Sequence, residues 1–185
     1  MSDPTAARSD QIGVLQRLAR WRVPMGFVVG PLVIFLASPT PTSLIVGGIV
    51  AAAGEAVRIW AAGHLNKSRE VTSSGPYRWV AHPLYVGSSI VGAGLAIASN
   101  HPGAVIAIAL YLGVTIGIAI KAEEAFLRGK FGDEYDRYRS RSAAADVPAR
   151  RFSLERAVAN REYRAVIGAL VIVALLILKM WWRTA

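Results

Sequence analysis

The sequence predicts an all-α integral membrane protein, a single domain over residues 1–185 folded as a bundle of about five transmembrane helices with a cytoplasmic amphipathic helical segment. Three observations predict this fold class. Hydrophobic residues make up 54% of the chain, and the mean hydropathy is +0.39. The apolar residues are collected in long blocks, as they are in membrane spans. Between the blocks, Lys and Arg concentrate in alternate connections, which is typical of a membrane topology.

Five apolar blocks predict the five spans, at about 23–38, 43–63, 84–99, 104–121 and 165–182. The first block is short and contains Pro24 and Pro31, so it crosses a bilayer only if flanking residues contribute. The proline-containing segments 39–42 and 100–103 predict tight turns between spans. The polar residues before the first block are more numerous than the basic region of a signal peptide, so we expect this block to be retained.

The charge pattern predicts the orientation. The net charge is +9, and nearly all Lys and Arg lie in the N-terminal arm, the 64–80 loop and the segment after the fourth span. The two tight turns carry none, so the positive-inside rule places these basic parts in the cytoplasm. Lys179 and Arg183 fall outside and are exceptions. The outer turns are too short to fold, so we expect any chemistry in the cytoplasmic parts 64–83 and 121–161.

Composition excludes several kinds of site. The chain has no cysteine and only three histidines, which excludes thiolate chemistry and disulfides and leaves little for a metal site. In a membrane protein, a basic balance favours anionic lipid headgroups as partners rather than nucleic acid. We therefore expect membrane lipids as partners, no nucleic acid and no metal.

Two ionisable residues lie inside the second span. Glu55 and Arg58 are three residues apart and share a helix face. At the centre of a bilayer each costs at least about 2.5 kcal/mol on insertion scales, so they must pair or line a polar cavity. They form either a structural ion pair between helices or, as we expect for the site, part of a substrate-binding surface.

The stretch GPYRWVAHPLYVG, which runs from Gly75 to Gly87, is the most unusual part of the chain. The His82-Pro83 pair predicts an extended residue directly before a helix that begins at Pro83. This geometry would place an imidazole and free helix N–H groups at the membrane surface, where they suit a carboxylate or a phosphate. The alternative is an interfacial aromatic belt of Tyr77, Trp79 and Tyr85.

A carboxylate pair follows the fourth span, in a segment that begins at Lys121 as a continuation of the fourth helix. Glu123 and Glu124 come first, and the positions of Glu124, Leu127, Phe131, Tyr135 and Tyr138 form one helical stripe. A lone carboxylate on that apolar stripe is costly. Glu124 either begins a solvated charge run with an aromatic docking face, or it faces a cationic or hydroxyl-bearing ligand. Gly129 and Gly132 are the places where the helix can break.

Together, GPYRWVAHPLYVG and the Glu123-Glu124 pair followed by FGDEYDRYRSR resemble the isoprenylcysteine carboxyl methyltransferase family and the related phospholipid N-methyltransferases. The resemblance implies a membrane-embedded enzyme that uses S-adenosylmethionine and methylates a lipid-like or prenylated substrate. Carboxyl O-methylation is the first choice, and N-methylation of a phospholipid amine is the alternative. The similarity covers about 59–141.

The resemblance also implies roles for individual residues. The residues expected to bind the cofactor are His82, Pro83, Tyr85, Gly87, Tyr77 and Glu124. Glu123 and Glu124 are expected to be catalytic. The family usually has Arg directly before the His, where this chain has Ala81, so Arg78 or Arg58 is expected to take that role toward a substrate carboxylate.

Two hypotheses from other classes compete with the enzyme. A small transporter would use Glu55 and Arg58 as its midplane site, but the other predicted spans offer little beyond Ser and Thr. A membrane scaffold without activity would be compatible with Ala81. Binding of S-adenosylmethionine distinguishes the enzyme from both.

Overall fold

The computed structural model describes residues 13–14, 17–18, 20–66, 70–140 and 150–184, and confirms the all-helical prediction for them. Most of the N-terminal arm and residues 141–149 of the predicted cytoplasmic segment lie outside these ranges. The helices are α1 (Arg22–Leu36), α2 (Pro41–His64), α3 (Pro83–Ser99), α4 (Pro102–Phe131), α5 (Asp133–Arg139), α6 (Leu154–Ala159) and α7 (Tyr163–Thr184), with a 3-10 turn at Gly75–Arg78.

Capping residues set the helix starts that the sequence predicts. The Thr40 Oγ1 accepts a hydrogen bond from the Ser43 N–H at 3.1 Å, and the Ser43 Oγ accepts one from the Thr40 N–H at 2.9 Å. This capping box starts α2 at Pro41, whose missing N–H costs nothing there. As predicted, α3 begins at Pro83 after His82. The turn after α3 has Asn100 in a left-handed conformation, with φ 48°.

The helix of the fourth span extends beyond the predicted span, as the predicted helical stripe at 124–138 requires. The apolar block stops near 121, but α4 continues through the charged residues to Phe131. Helix propensity is high for Lys, Ala, Glu and Leu, so a change of polarity does not end a helix. Gly132, with φ 49°, ends it, whereas Gly129 lies within the helix. The predicted stripe therefore divides between α4 and α5.

Three helices are long and apolar enough to cross a membrane: Pro41–His64, Pro102–Phe131 and Tyr163–Arg183. The two other apolar helices, Val23–Leu36 and Pro83–Ser99, are shorter. At about 1.5 Å per residue, α1 and α3 are roughly 23 Å and 26 Å long, somewhat less than a bilayer core of about 30 Å. The described structure is therefore that of a membrane protein with three candidate spans.

Glycines bring α2 and α3, the most extensively packed pair of helices, into close contact. A Cβ on Gly94 would lie 2.4 Å from the Ala51 N, and one on Gly47 would lie 2.4 Å from the Gly94 O. Gly54 likewise faces the backbone of α3. The small residues of α2 and α3 thus allow the two backbones to pack closely.

The bundle has two different ends. At one, the turn end, the segments after α1 and α3 meet, because the Ser38 N–H donates to the Ser99 O at 2.8 Å. The ammonium of Lys179 in α7 donates to the Ile34 and Phe35 carbonyls there, both at 2.6 Å. The cation at the carbonyl end of α1 explains why α7 carries a basic residue at that end. The opposite end, the site end, holds the C-terminus of α2 and the start of α3.

Candidate active site

A cavity of about 480 Å³ lies at the site end. The start of α3, the extension of α4, α5 and the segment before α7 surround it. Its acidic and basic lining residues are Arg58, Glu70, Glu123, Arg161, Glu162 and Arg164, and its aromatic ones are Tyr77, Tyr85, Phe126, Tyr135 and Tyr138. Charged and aromatic groups thus face a common space at the end of an apolar bundle.

His82 lies between the two predicted carboxylates. Its Nε2 is 3.2 Å from the Glu124 Oε1, and its Nδ1 is 3.7 Å from the Glu123 Oε2. His82 is the N-cap residue of α3, its ring lies 5.8 Å from the Tyr85 ring, and the uninterrupted helix at 121–124 brings the two acids to it. Arg139 of α5 also reaches the Glu124 Oε1, at 3.0 Å.

The carboxylates change the protonation of His82. Burial favours the neutral ring, but hydrogen bonds and charges from Glu123 and Glu124 outweigh it and raise the pKa of His82 above its usual value. The charged ring donates from both nitrogens, one toward each acid. His82 therefore orients Glu123 and Glu124 and does not present a free nitrogen to the cavity.

After Gly132, α5 folds back over the cavity. The Tyr138 hydroxyl donates to the Tyr77 carbonyl at 2.9 Å, which joins α5 to the 3-10 turn. Burial raises the pKa of both Tyr135 and Tyr138 to about 12, so both phenols stay protonated. Tyr135 is 1% exposed, lines the cavity, and its hydroxyl has no hydrogen-bond partner among the described residues. A buried polar atom in this state is suited to a ligand.

Arg58 occupies the inner boundary of the cavity. Its Nη2 donates to the Glu162 Oε2 at 2.9 Å, and its Nη1 donates to the Ser88 Oγ. Glu55 lies farther away, with its Oε2 3.6 Å from the Arg58 Nε. The guanidinium is therefore fixed by groups from α2, α3 and the start of α7.

A second cavity, of about 290 Å³, lies deeper in the bundle and is mostly apolar. Its wall comes from α1, α2, α3, α4 and α7 and includes Gly26, Gly30, Val33, Leu95, Ile108, Leu112 and Ile172. Arg58, Ser88 and Ala165 line both cavities, whereas Glu55 lines only the apolar one. A charged space and an apolar space thus meet at Arg58.

The segment before α7 is attached to the exposed carbonyls at the end of α2. The Asn160 amide donates to the Ala62 and Leu65 carbonyls at 2.9 and 3.0 Å, and the Arg156 Nε donates to the Gly63 O at 2.8 Å. The last carbonyls of a helix have no partner within it, so these donors hold α6 firmly in place. This docking brings Glu162 to the cavity.

The structure gives the predicted site residues different positions. Tyr77, Tyr85 and Glu123 line the larger cavity. His82 contacts Glu123 next to the cavity, and Glu124 contacts His82. Pro83 starts α3, and Gly87 makes room for Arg58: a Cβ there would lie 2.5 Å from the Arg58 Cγ. Arg78 is exposed and lines neither cavity, so its geometry does not favour the catalytic role that we expected for it.

Sequence reasoning missed Ser88, Asn160, Arg161 and Glu162. Glu162 is only 8% exposed although it follows a strongly charged segment. The one feature of the sequence that pointed to Glu162 was Arg58, a charged residue in an apolar span. It needed a carboxylate partner that could come closer to it than Glu55, three residues away, does. Among the described residues, no group of three or more His, Asp or Glu could hold a metal ion.

The model of the phospholipid methyltransferase family matches residues 42–134, just over half of the 185 residues. The chain belongs to the phospholipid methyltransferase family. The match begins in α2 and ends in α5, so it includes His82, Glu123 and Glu124 but not Glu162.

A curated relative is the protein-S-isoprenylcysteine O-methyltransferase of Schizosaccharomyces pombe. The chain and this relative are 32% identical over 89 residues, which cover 48% of the chain and 38% of the relative. The chain thus matches well under half of that relative's length. No solved structure matches the chain.

Proposed function

We propose that this protein is an S-adenosylmethionine-dependent methyltransferase that methylates the carboxyl group of a prenylated or similarly lipid-like substrate. The observation that carries the proposal is the junction at Arg58, where a charged and aromatic cavity meets an apolar one. A methyl donor with polar groups suits the first space, and a hydrocarbon chain suits the second. Family membership and the fission yeast relative point to the same reaction.

The residues of the larger cavity fit S-adenosylmethionine. Its aromatic wall offers faces for the adenine ring, and the free Tyr135 hydroxyl offers a hydrogen bond. Glu123 suits the amino group or the ribose hydroxyls, and Arg161 and Arg164 suit the carboxylate. When bound, S-adenosylmethionine supplies a methyl group on a sulfonium leaving group, so transfer to a carboxylate needs no oxidant and no general base.

The work of the chain is to bring acceptor and donor together without water. Arg58 can hold an anionic acceptor group at the junction, because a guanidinium presents several donors in one plane. The apolar cavity would hold the hydrocarbon part, and Tyr77 and Tyr138 would close the side toward α5. Positioning and exclusion of water are the main contributions that a protein makes to such a displacement.

N-methylation of a phospholipid amine is the second candidate, and a specific observation favours it. Arg58 already faces two carboxylates, Glu162 and Glu55, and Ala81 stands where the related enzymes usually carry Arg. The junction therefore carries less positive charge than a carboxylate acceptor would prefer. For an amine, Glu123 could accept the proton that the nitrogen must lose.

We further propose five spans, with the site end in the cytoplasm. The short helices α1 and α3 pack in the bundle with the three longer ones, and a tilted or locally thinned bilayer accommodates short spans. The basic residues around the site end support this orientation.

Detergent-solubilised protein incubated with labelled S-adenosylmethionine and either a prenylcysteine or total membrane lipid tests the function. We expect labelled product, base-labile if it is a methyl ester and base-stable if it is an N-methyl amine. Glu123→Gln should lower kcat/KM by about tenfold or more, whereas Glu134→Gln, on the exposed face of α5, should not. Absence of both cofactor binding and labelled product would reject the enzyme and favour a scaffold or transporter.

A further inference from the structure

We propose that Glu162 is a positioning residue that holds the Arg58 guanidinium at the junction of the two cavities and thereby sets the binding of the methyl acceptor. This inference rests on the proposed function, which does not assign Glu162 a role. The residue lies outside the 42–134 region that the family model matches, so it belongs to the part of this chain that the family comparison does not describe.

The two carboxylates near Arg58 lie on different sides of it. Glu162 lines only the larger cavity, and Glu55 lines only the apolar one. Of these two carboxylates, only Glu162 is within hydrogen-bonding distance of the guanidinium. Its Oε2 is 2.9 Å from the Arg58 Nη2, whereas the Glu55 Oε2 is 3.6 Å from the Arg58 Nε. The Arg58 Nε and the Glu55 Oε2 are buried and have no hydrogen-bond partner among the described residues. The Ser88 Oγ, which lines both cavities, and Glu162 therefore hold the guanidinium together, and Glu162 is the partner that lies on the side of the larger cavity alone.

The backbone directs Glu162 to this position. At the end of α6, the Arg161 N–H donates to the Val158 O at 2.8 Å and the Glu162 N–H to the Ala157 O at 3.2 Å. This pair of bonds is a Schellman motif, with Arg161 in the left-handed region at φ 62°. Glycine is usual there, and another residue costs about 1–2 kcal/mol. The chain thus accepts strain to reverse direction and bury Glu162.

Loss of the Glu162 charge should move Arg58. A guanidinium at this depth needs a carboxylate partner, because an unpaired buried charge is strongly unfavourable. Without Glu162, the remaining partner is Glu55, so the guanidinium shifts toward the apolar cavity. The acceptor's polar group would then lose its contact at the junction, whereas Tyr135 and Glu123, which belong to α5 and α4, would keep their positions in the cofactor cavity.

The experiment measures acceptor KM, kcat and the dissociation constant of S-adenosylmethionine for the full chain, with an N-acetylated prenylcysteine as acceptor. It compares the wild type with Glu162→Gln, Glu162→Asp and Glu155→Gln. Glu155 is an exposed acid in α6 and provides the matched control. We expect Glu162→Gln to raise acceptor KM about tenfold or more and Glu162→Asp to restore part of it. Cofactor affinity should stay within about twofold of the wild type.

The other possible results reject either the positioning role of Glu162 or the proposed function itself. An acceptor KM for Glu162→Gln equal to that of Glu155→Gln rejects the positioning role alone. Equal losses of acceptor and cofactor binding also reject it, because they indicate a collapsed site. If Glu162→Gln does not fold, an unchanged acceptor KM in Glu162→Asp rejects the role. A wild type that neither binds the cofactor nor transfers methyl groups rejects the proposed function, and this inference with it.

Discussion

At the scale of single residues, the arrangement around His82 depends on charge compensation. Each ring nitrogen faces a carboxylate, and Arg139 contacts the same Glu124 oxygen as His82 does. The side chain of His82 is 11% exposed, so water screens these contacts only partly. A charged imidazole is the form that satisfies both acids, and the site is therefore most firmly held when His82 is protonated.

This arrangement makes stability depend on pH. Because the folded pKa of His82 is raised, its contribution is fully present below the unfolded value of about 6.5 and is lost as pH rises through the folded value. We expect the wild type to melt at a higher temperature than His82→Gln near pH 6, with the difference shrinking toward pH 9. Thermal unfolding of both proteins across this range checks it. A difference that stays constant or grows with pH contradicts the ion-pair account.

The sequence was sufficient to predict some site residues and not others. His82, Glu123 and Glu124 lie in a motif with distinctive spacing, and the structure brings them together. Glu162 lies 104 residues from Arg58 in the chain, and its pairing depends on how α6 docks on α2. No local pattern encodes such a contact. Arg78 lies inside the same motif but is exposed, so its role toward the substrate stays a prediction.

At the scale of helices, the apolar blocks predicted the starts and the ends of α1, α2, α3 and α7 to within two residues. Thr40, Pro83 and Pro102 mark helix starts that are visible in the sequence. The helical stripe at 124–138 predicted that α4 continues beyond the apolar block, and Gly132, one of the two predicted break points, is where the helix ends. The helical turns beyond the block bring Glu123 and Glu124 to His82, so this continuation bears directly on the site.

The contact between α2 and α3 should be intolerant of a single methyl group. In Gly94→Ala the new Cβ would lie 2.4 Å from the Ala51 N, which is backbone and cannot move aside. We expect a loss of stability of about 1–3 kcal/mol. Gly48→Ala, with nothing within 4 Å, should be neutral or more stable by up to about 1 kcal/mol. Thermal unfolding in detergent compares the two, and equal melting temperatures would refute the close contact.

At the scale of the whole molecule, the bundle separates two environments and joins them at one place. Five helices supply the apolar wall, and the charged wall comes from the site-end parts of α2, α4 and α7 together with the connections beside them. Their shared boundary of Arg58, Ser88 and Ala165 belongs to three different helices. The two cavities are therefore a property of the packed bundle, which explains why apolar blocks alone did not predict them.

Filling the apolar cavity should affect long acceptors selectively. Gly26 and Gly30 lie one turn apart on the face of α1 toward Tyr111, and a Cβ on Gly30 meets nothing within 4 Å. Gly30→Leu should raise KM for a long prenyl acceptor at least about fivefold and leave cofactor affinity unchanged. Gly113→Leu, which lines neither cavity, is the control. If the two variants show the same KM, the cavity does not hold the hydrocarbon chain.

The hydrogen bonds that close the turn end have a consequence for sidedness. The Ser38 N–H donates to the Ser99 O, and the Asn100 amide donates to the Ser38 O at 3.1 Å, whereas the residues that line the larger cavity lie at the opposite, site end. In sealed proteoliposomes, a methyl donor that cannot cross the lipid would reach only some of the protein molecules. These are the ones whose site end faces the compartment that contains the donor. Turnover in randomly inserted vesicles would rise when the lipid barrier is made leaky, and methylation would be a vectorial property of the membrane.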